Sequence, residues 1–322
     1  MKNLTVSMFL FFAVSFALFA GGSAEDGAPA TTPAGRLKVV ATTNIVGDVV
    51  SQVAGDAVDL TVLIPLGGNP HGYTPTPRDT GRIEAGDVVF TNGFGLEEQL
   101  LEVVEANATG SVVAVSRNIE ADDHDDHADH DDHDDHDHHH AGQDPHVWFD
   151  PNLVMTWTDV IADTLSQADP EHAAEYRAGA QAYREELEAL DQEIREAVAQ
   201  ISPGRRKLVL DHASLDYFAE RYGFEVIGTV IPDTTDQAEP SAQAVAQLVE
   251  VLREENVRTI FVGGTASDGL RNLAEAVAQE VGGPVTVSTL LTGSLAALGE
   301  DGDSYLSFMR YNLSQIAENL QD

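Results

Sequence analysis

Short β-rich apolar runs alternate with amphipathic stretches along most of this chain. Residues 37–42, 58–63, 87–90 and 111–115 are dense in Val, Leu and Ala at strand-like lengths. Helical periodicity separates them near 45–54, 76–84 and 95–106. A second series repeats the arrangement. Its strands are predicted at 207–210, 225–228, 259–262 and 284–287, and its helices near 214–222, 240–255, 268–281 and 304–320. Strands alternating with helices predict an α/β fold with parallel sheets, here two similar lobes, each a parallel sheet flanked by helices.

Between the two series, residues 170–201 contain no glycine except Gly179 and no proline after Pro170, and are rich in Ala, Glu, Arg and Gln. Ala180, Tyr183, Leu187, Leu190, Ile194 and Val198 recur at intervals of three or four and form an apolar stripe. The spacing predicts one long rigid helix joining the lobes, N-capped by Asp169, stopped at Ser202-Pro203-Gly204 and roughly 45 Å long. The expected organisation is an N-terminal lobe over 37–168, a connecting helix over 169–202 and a C-terminal lobe over 203–322. A chain of 322 residues suits two such domains, each large enough for its own core.

Ahead of the first lobe, Met1-Lys2-Asn3, a mostly apolar run over 4–20 and Gly22-Ser23-Ala24 have the form of a signal peptide covering 1–24. The apolar run falls short of the ~20 residues that span a bilayer comfortably. Residues 25–36, rich in Ala, Pro, Thr and Gly, read as a flexible leader. There is no cysteine, so no disulfide, no thiolate metal site and no thiol for lipid attachment. A soluble, monomeric periplasmic protein is the simplest expectation. The formal net charge of −37 argues against nucleic acid or an anionic membrane surface as partner.

Much of the charge is concentrated with histidine. Residues 122–140 hold eight His and ten Asp in nineteen positions: His124, His127, His130, His133, His136, His138, His139 and His140 among the aspartates. Imidazole and carboxylate are donors that borderline divalent metals such as Zn²⁺ accept. With almost no apolar side chain the tract cannot offset the entropy cost of ordering, so 120–143 reads as a disordered loop of accessory, weak metal sites.

Three other histidines sit where predicted strands end or helices begin. His71 follows the second strand in Asn69-Pro70-His71-Gly72-Tyr73-Thr74-Pro75. His146 lies in Asp144-Pro145-His146-Val147-Trp148-Phe149-Asp150-Pro151, ahead of a helix, and His212 ends the strand over 207–210. Parallel α/β sheets gather ligands at the carboxyl ends of their strands, so the three can meet in a cleft between lobes. His172, on the connector, reads as a structural residue. Gly263-Gly264-Thr265 lacks the lysine of a phosphate loop and reads as a tight turn. Trp148, Trp157, Phe218 and Tyr222 read as packing around the site rather than a ligand cage.

The motifs around His71 and His146, with Arg78-Asp79, His212-Ala213, Tyr217-Phe218, Tyr222-Gly223, Glu239-Pro240-Ser241, Asp303-Ser304-Tyr305 and Met309-Arg310-Tyr311-Asn312, recur in one order. In this the chain resembles, over residues 37–320, the solute-binding proteins of zinc and manganese ABC importers. The resemblance implies that His71, His146 and His212 are metal ligands, that Zn²⁺ is captured between the lobes, and that it is delivered to a membrane permease driven by an ATPase. His at the third position and a His-rich loop before the second ligand point to the zinc branch of that family; manganese or iron is the alternative cargo.

One departure concerns the fourth ligand. Many relatives supply an acidic residue near the C-terminus, where this chain has Thr292-Gly293-Ser294. Water is the expected occupant, with Asp301, Asp303 or a tract residue as alternatives. An open position on three histidines is also how catalytic zinc sites are built, which makes a zinc-dependent hydrolase the rival class. No partner acid or base stands at motif spacing, so an enzyme is not expected.

Overall fold

Parallel pairing organises the strands into two separate four-stranded sheets. Strands β1 (Leu37–Ala41), β2 (Val58–Val62), β3 (Val88–Thr91) and β4 (Ser111–Ala114) lie in the order β2-β1-β3-β4. Strands β5 (Lys207–Leu210), β6 (Glu225–Thr229), β7 (Thr259–Gly263) and β8 (Thr286–Leu290) lie in the order β6-β5-β7-β8. The computed structural model describes residues 35–120 and 144–321. The proposed signal peptide, all but the end of the proposed leader, and the His/Asp tract lie outside the described residues. Strand β8 starts two residues later than predicted, because Pro284 has no N–H to give a ladder.

Helices on the two faces explain the alternation of side chains. In the first sheet Val39 and Ala41 point to one core cluster and Val40 to another; in the second, Phe261 points one way and Ile260 and Val262 the other. The outer faces are covered by α2 (Pro77–Ala85) and α3 (Glu98–Asn107) on the first sheet and by α7 (Ala242–Glu254) and α8 (Asp268–Val281) on the second. Facing inward are α1 (Asn44–Ala54), α4 (Pro151–Ala168), α5 (Ala173–Val198), α6 (Asp216–Tyr222) and α9 (Tyr305–Leu320). Local chemistry starts many of them. Thr43, Asp150, Ser241, Ser267 and Ser304 each accept a backbone N–H of the first turn, and Thr76 and Asp79 form a reciprocal capping box.

Two expectations need correction. The connector α5 begins at Ala173 rather than Pro170, because α4 runs to Ala168 and Asp169 is its C-cap. The Asp169 carboxylate accepts from His172 Nδ1 at 2.7 Å and Tyr176 OH at 2.9 Å instead of capping α5. With 26 residues, α5 is roughly 39 Å long at 1.5 Å per residue. Nor does each sheet keep a wholly separate core. One continuous cluster joins inner-face residues of both sheets, from Val39 and Phe90 to Leu208, Phe261 and Leu290, through the α5 stripe of Tyr176, Ala180, Tyr183, Leu187, Leu190, Ile194 and Val198. The described residues from Arg36 onward accordingly form one compact unit. Among the described residues no helix is long and apolar enough to cross a membrane.

The lone glycine of α5 has a packing reason. A Cβ on Gly179 would press into the carbonyl of Val53 at the end of α1, with the Val53 carbonyl carbon 3.0 Å away. Backbone cannot rotate aside as a side chain can. We expect Gly179→Ala to lose about 1–3 kcal/mol of stability despite the ~1 kcal/mol that alanine gains in helix propensity. Urea unfolding of the metal-free protein checks it, and unchanged or increased stability would contradict the close α1–α5 contact.

Candidate metal centre

His71 lies on the loop between β2 and α2, stiffened by Pro65, Pro70 and Pro75 and tied at both ends. Asn69 Oδ1 accepts His71 N at 3.0 Å, and Tyr73 OH donates at 2.9 Å to Asp79, the same carboxylate that caps α2. His146 precedes a 3-10 turn at Val147–Phe149. Asp144 Oδ1 sits 2.9 Å from the His146 backbone N and 2.7 Å from its Nδ1, while Asn92 Nδ2 holds the carbonyl of Pro145 at 2.9 Å. His212 follows the end of β5, where Asp211 Oδ1 sits 2.9 Å from both its backbone N and its Nδ1. Asp211 is itself fixed, since its Oδ2 accepts Gly263 N at 2.7 Å.

The three rings meet. Their centroids lie 5.2 Å apart for His71 and His146, 5.6 Å for His71 and His212, and 5.2 Å for His146 and His212. Each offers one donor atom, and these three atoms lie within 4.8 Å of one another. With Nδ1 of His146 and His212 committed to carboxylates, Nε2 is the nitrogen left for a ligand. The Nε2 atoms of His71 and His146 are 3.2 Å apart, and a tetrahedral ion with bonds of ~2.0–2.1 Å spaces its donors by roughly 3.3 Å. His212 Nε2 is buried and has no hydrogen-bond partner among the described residues. A cation is the partner this chemistry suits.

Burial controls protonation here. Desolvation lowers the His71 pKa to about 3, helped by the neighbouring imidazoles of His146 and His212. His146 is pushed well below its ordinary value by burial first and by His212 second. His212 is the exception. Burial opposes its charge, but the hydrogen bond and negative charge of Asp211 outweigh it and raise its pKa. Burial thus favours the neutral ring at His71 and His146, whereas Asp211 favours the protonated ring at His212.

Other candidates fall elsewhere. The metal-competent cluster at this site contains the three histidines and neither Asp301 nor Asp303; Asp303 Oδ2 accepts Gly299 N at 2.9 Å. Gly293 faces the ring of Pro70, whose Cδ would lie 2.7 Å from a Cβ placed there. Its loop is pinned: Trp148 Nε1 donates to Thr292 O at 3.1 Å, Gly67 N and Asn44 Nδ2 both donate to Ser294 Oγ, and Leu295 N donates to Asn44 Oδ1. His172 pairs with Asp169, outside the cluster. Gly263 serves packing and the clamp on Asp211, with no room for a side chain beside Thr292. Trp148, Trp157, Phe218 and Tyr222 are buried, and the Trp148 ring lies edge-on to His146 at 5.1 Å. Sequence reading missed Asp144, Asp211 and Asn92 as orienting residues; an Asp one or two places before each buried His was the available signal.

Known proteins resemble this chain along nearly its whole length. The manganese ABC transporter substrate-binding lipoprotein PsaA of Streptococcus anginosus is 31% identical, with 99% of each chain covered. The manganese-binding lipoprotein MntA of Halalkalibacterium halodurans is 29% identical, covering 97% of this chain and 98% of that one. Among solved structures, the periplasmic zinc-binding protein TroA of Treponema pallidum superposes with a TM-score of 0.79 at 26% identity, covering 89% of this chain and all of that one. Residues 39–319 match the family described as ZnuA, zinc-uptake complex component A periplasmic. With two parallel sheets and three histidines whose donor atoms meet, the chain belongs to this family of metal-binding solute-binding proteins of ABC importers.

Proposed function

We propose that this protein captures Zn²⁺ on the Nε2 atoms of His71, His146 and His212 outside the cytoplasmic membrane and hands it to an ABC permease driven by its ATPase. The observation that carries the reading is the desolvated convergence of three imidazoles, one of which leaves Nε2 without a partner. Nitrogen-rich sites suit Zn²⁺, whereas Mn²⁺ stands lowest in the affinity series and prefers oxygen. The names of PsaA and MntA favour a second reading, in which the cargo is manganese. These relatives are named lipoproteins, whereas this sequence has no cysteine to carry a lipid; the reading is of an exported protein. The tract over 122–140 acts as an accessory collector of weakly held ions. No covalent step is involved, and the rival hydrolase would be revealed by turnover of an ester or peptide.

Calorimetry with competing chelators separates the two cargo readings. We expect zinc to bind far more tightly than manganese, and His71→Ala, His146→Ala and His212→Ala each to weaken zinc by more than tenfold, or more than ~1.4 kcal/mol. Full-strength zinc binding in any of the three would remove that residue from the site.

Binding should also depend on pH with a defined sign. Only a neutral ring binds metal, so the proton on His212, whose pKa is raised, competes with the ion. Affinity should be flat above that pKa and fall about tenfold per pH unit below it, with one proton released per ion, since His71 and His146 stay neutral until far lower pH. Titrations in buffers of different ionisation enthalpy count the protons. Release of three would contradict the assignment of protonation states.

Gly293→Asp tests whether a carboxylate at the relatives' position can serve here. A side chain there meets Pro70, the residue preceding His71, so we expect zinc affinity to drop rather than rise. Tighter binding of zinc or manganese in this variant would show that the Pro70 ring yields.

A further inference from the structure

Three histidines leave one position of a tetrahedral ion open, and the described carboxylates can be taken in turn. Asp144 Oδ1 and Asp211 Oδ1 are engaged by the Nδ1 atoms of His146 and His212. Asp303 holds Gly299 N. Position 293 has no side chain, and Pro70 occupies the space a Cβ would need.

Asp236 differs from all of these. It lies on the segment between β6 and α7, whose base is fastened to the His212 strand: Val230 N and Ile231 N donate to the carbonyls of Leu210 and Asp211, and Ala213 N donates to Asp233 O. From there the segment reaches across to the other ligand loop. Asn69 Nδ2 donates to Asp236 Oδ2 at 2.6 Å, and the same amide accepts His71 N through Oδ1 at 3.0 Å. Asp236 is therefore two hydrogen bonds from the backbone of His71. Gly72 permits this approach, since a Cβ on it would stand 3.0 Å from Gln237 Oε1. The side chain is half-buried, and its negative charge acts on both His71 and His212. Its present partners are the side-chain amides of Asn69 and Gln237, and as it stands it lies outside the cluster of the three histidines, so it reaches an ion only by exchanging these contacts.

We propose that Asp236 is the fourth donor of the metal site, turning one carboxylate oxygen from Asn69 onto the ion and taking the place of the acidic residue that Gly293 lacks. The inference rests on the three-histidine reading above. It assigns the site an N₃O donor set with one negative charge, which tightens the hold on any divalent cation and improves manganese most, because that ion prefers oxygen.

Metal affinity and the cobalt spectrum together test it. In Asp236→Ala, zinc affinity should fall at least about tenfold and manganese affinity further, with Asp236→Asn close behind. Cobalt-loaded parent protein should not respond to added thiocyanate, whereas cobalt-loaded Asp236→Ala should change its visible spectrum as the anion enters the vacated position. Unaltered zinc binding in Asp236→Ala would overturn the proposal, as would a parent cobalt spectrum that responds to thiocyanate as readily as the variant's, which marks a water ligand. His212→Ala is measured alongside. Full affinity there sinks the underlying three-histidine reading, whereas loss there with no loss in Asp236→Ala sinks this inference alone.

Discussion

Taking three imidazoles out of water while keeping one nitrogen of each available is the constraint on which the rest of the site depends. A buried ring with no partner for its nitrogen costs about 1–3 kcal/mol, and a protonated ring in the same place costs more. The protein accepts the first cost at His212 Nε2 and avoids the second at His71 and His146 by burial itself, which keeps them neutral. Asp144 and Asp211 then fix which nitrogen points inward. Asp211 can do so only because Gly263 offers a backbone N–H at 2.7 Å and no side chain. A glycine at the end of β7 thus belongs to the orientation of His212, although it touches no ion.

That constraint requires a frame that does not drift, and the packing supplies one. A single apolar cluster runs through both sheets and along α5, so rotating one sheet against the other would expose much of the core. Polar ties add to it across the gap. Asn44 clasps Ser294 and Leu295, Arg221 Nε donates to Asp150 Oδ2 at 2.6 Å, and Arg310 forks onto Glu193 at 2.7 and 3.0 Å. The last pair is exposed and adds little by itself. The segment over 230–241, between β6 and α7, lacks helix and strand and is anchored at its start by the buried Val230 and Ile231.

The alternation of apolar runs made the two parallel sheets legible, because a strand covered on both faces favours apolar side chains in succession, as at Val88, Val89 and Phe90 of β3. The three histidines were legible too, since strand-end positions and proline-bounded loops limit where such side chains can gather. What escaped the sequence was contact between distant segments. Asp169 has the form of an N-cap, yet the turn at 169–172 gives it His172 and Tyr176 as partners instead. The merged core depends on which face of α5 meets α1 and α4, and periodicity reports a stripe without naming what covers it. Several recurring motifs turned out to hold the frame: Tyr305 OH donates to Trp148 O at 2.7 Å, and the Asn312 side chain bonds both backbone groups of Leu291. Motif order identified the family while leaving those physical roles unread.

Charge and geometry divide the work of recognition. A net charge of −37 enriches every cation near the surface, and it does so without regard to ligand preference. Screening confines that enrichment to about 8–10 Å at physiological ionic strength, so it can raise the local concentration of ions but cannot rank them. Ranking has to occur where water has been removed and the donors are fixed in number and kind. Three imidazole nitrogens favour zinc over manganese, and each oxygen added to them narrows the gap. The zinc-named TroA accordingly shares this frame, and the manganese-named PsaA and MntA match the chain along nearly its whole length. In this chain position 293 has no side chain to add such an oxygen.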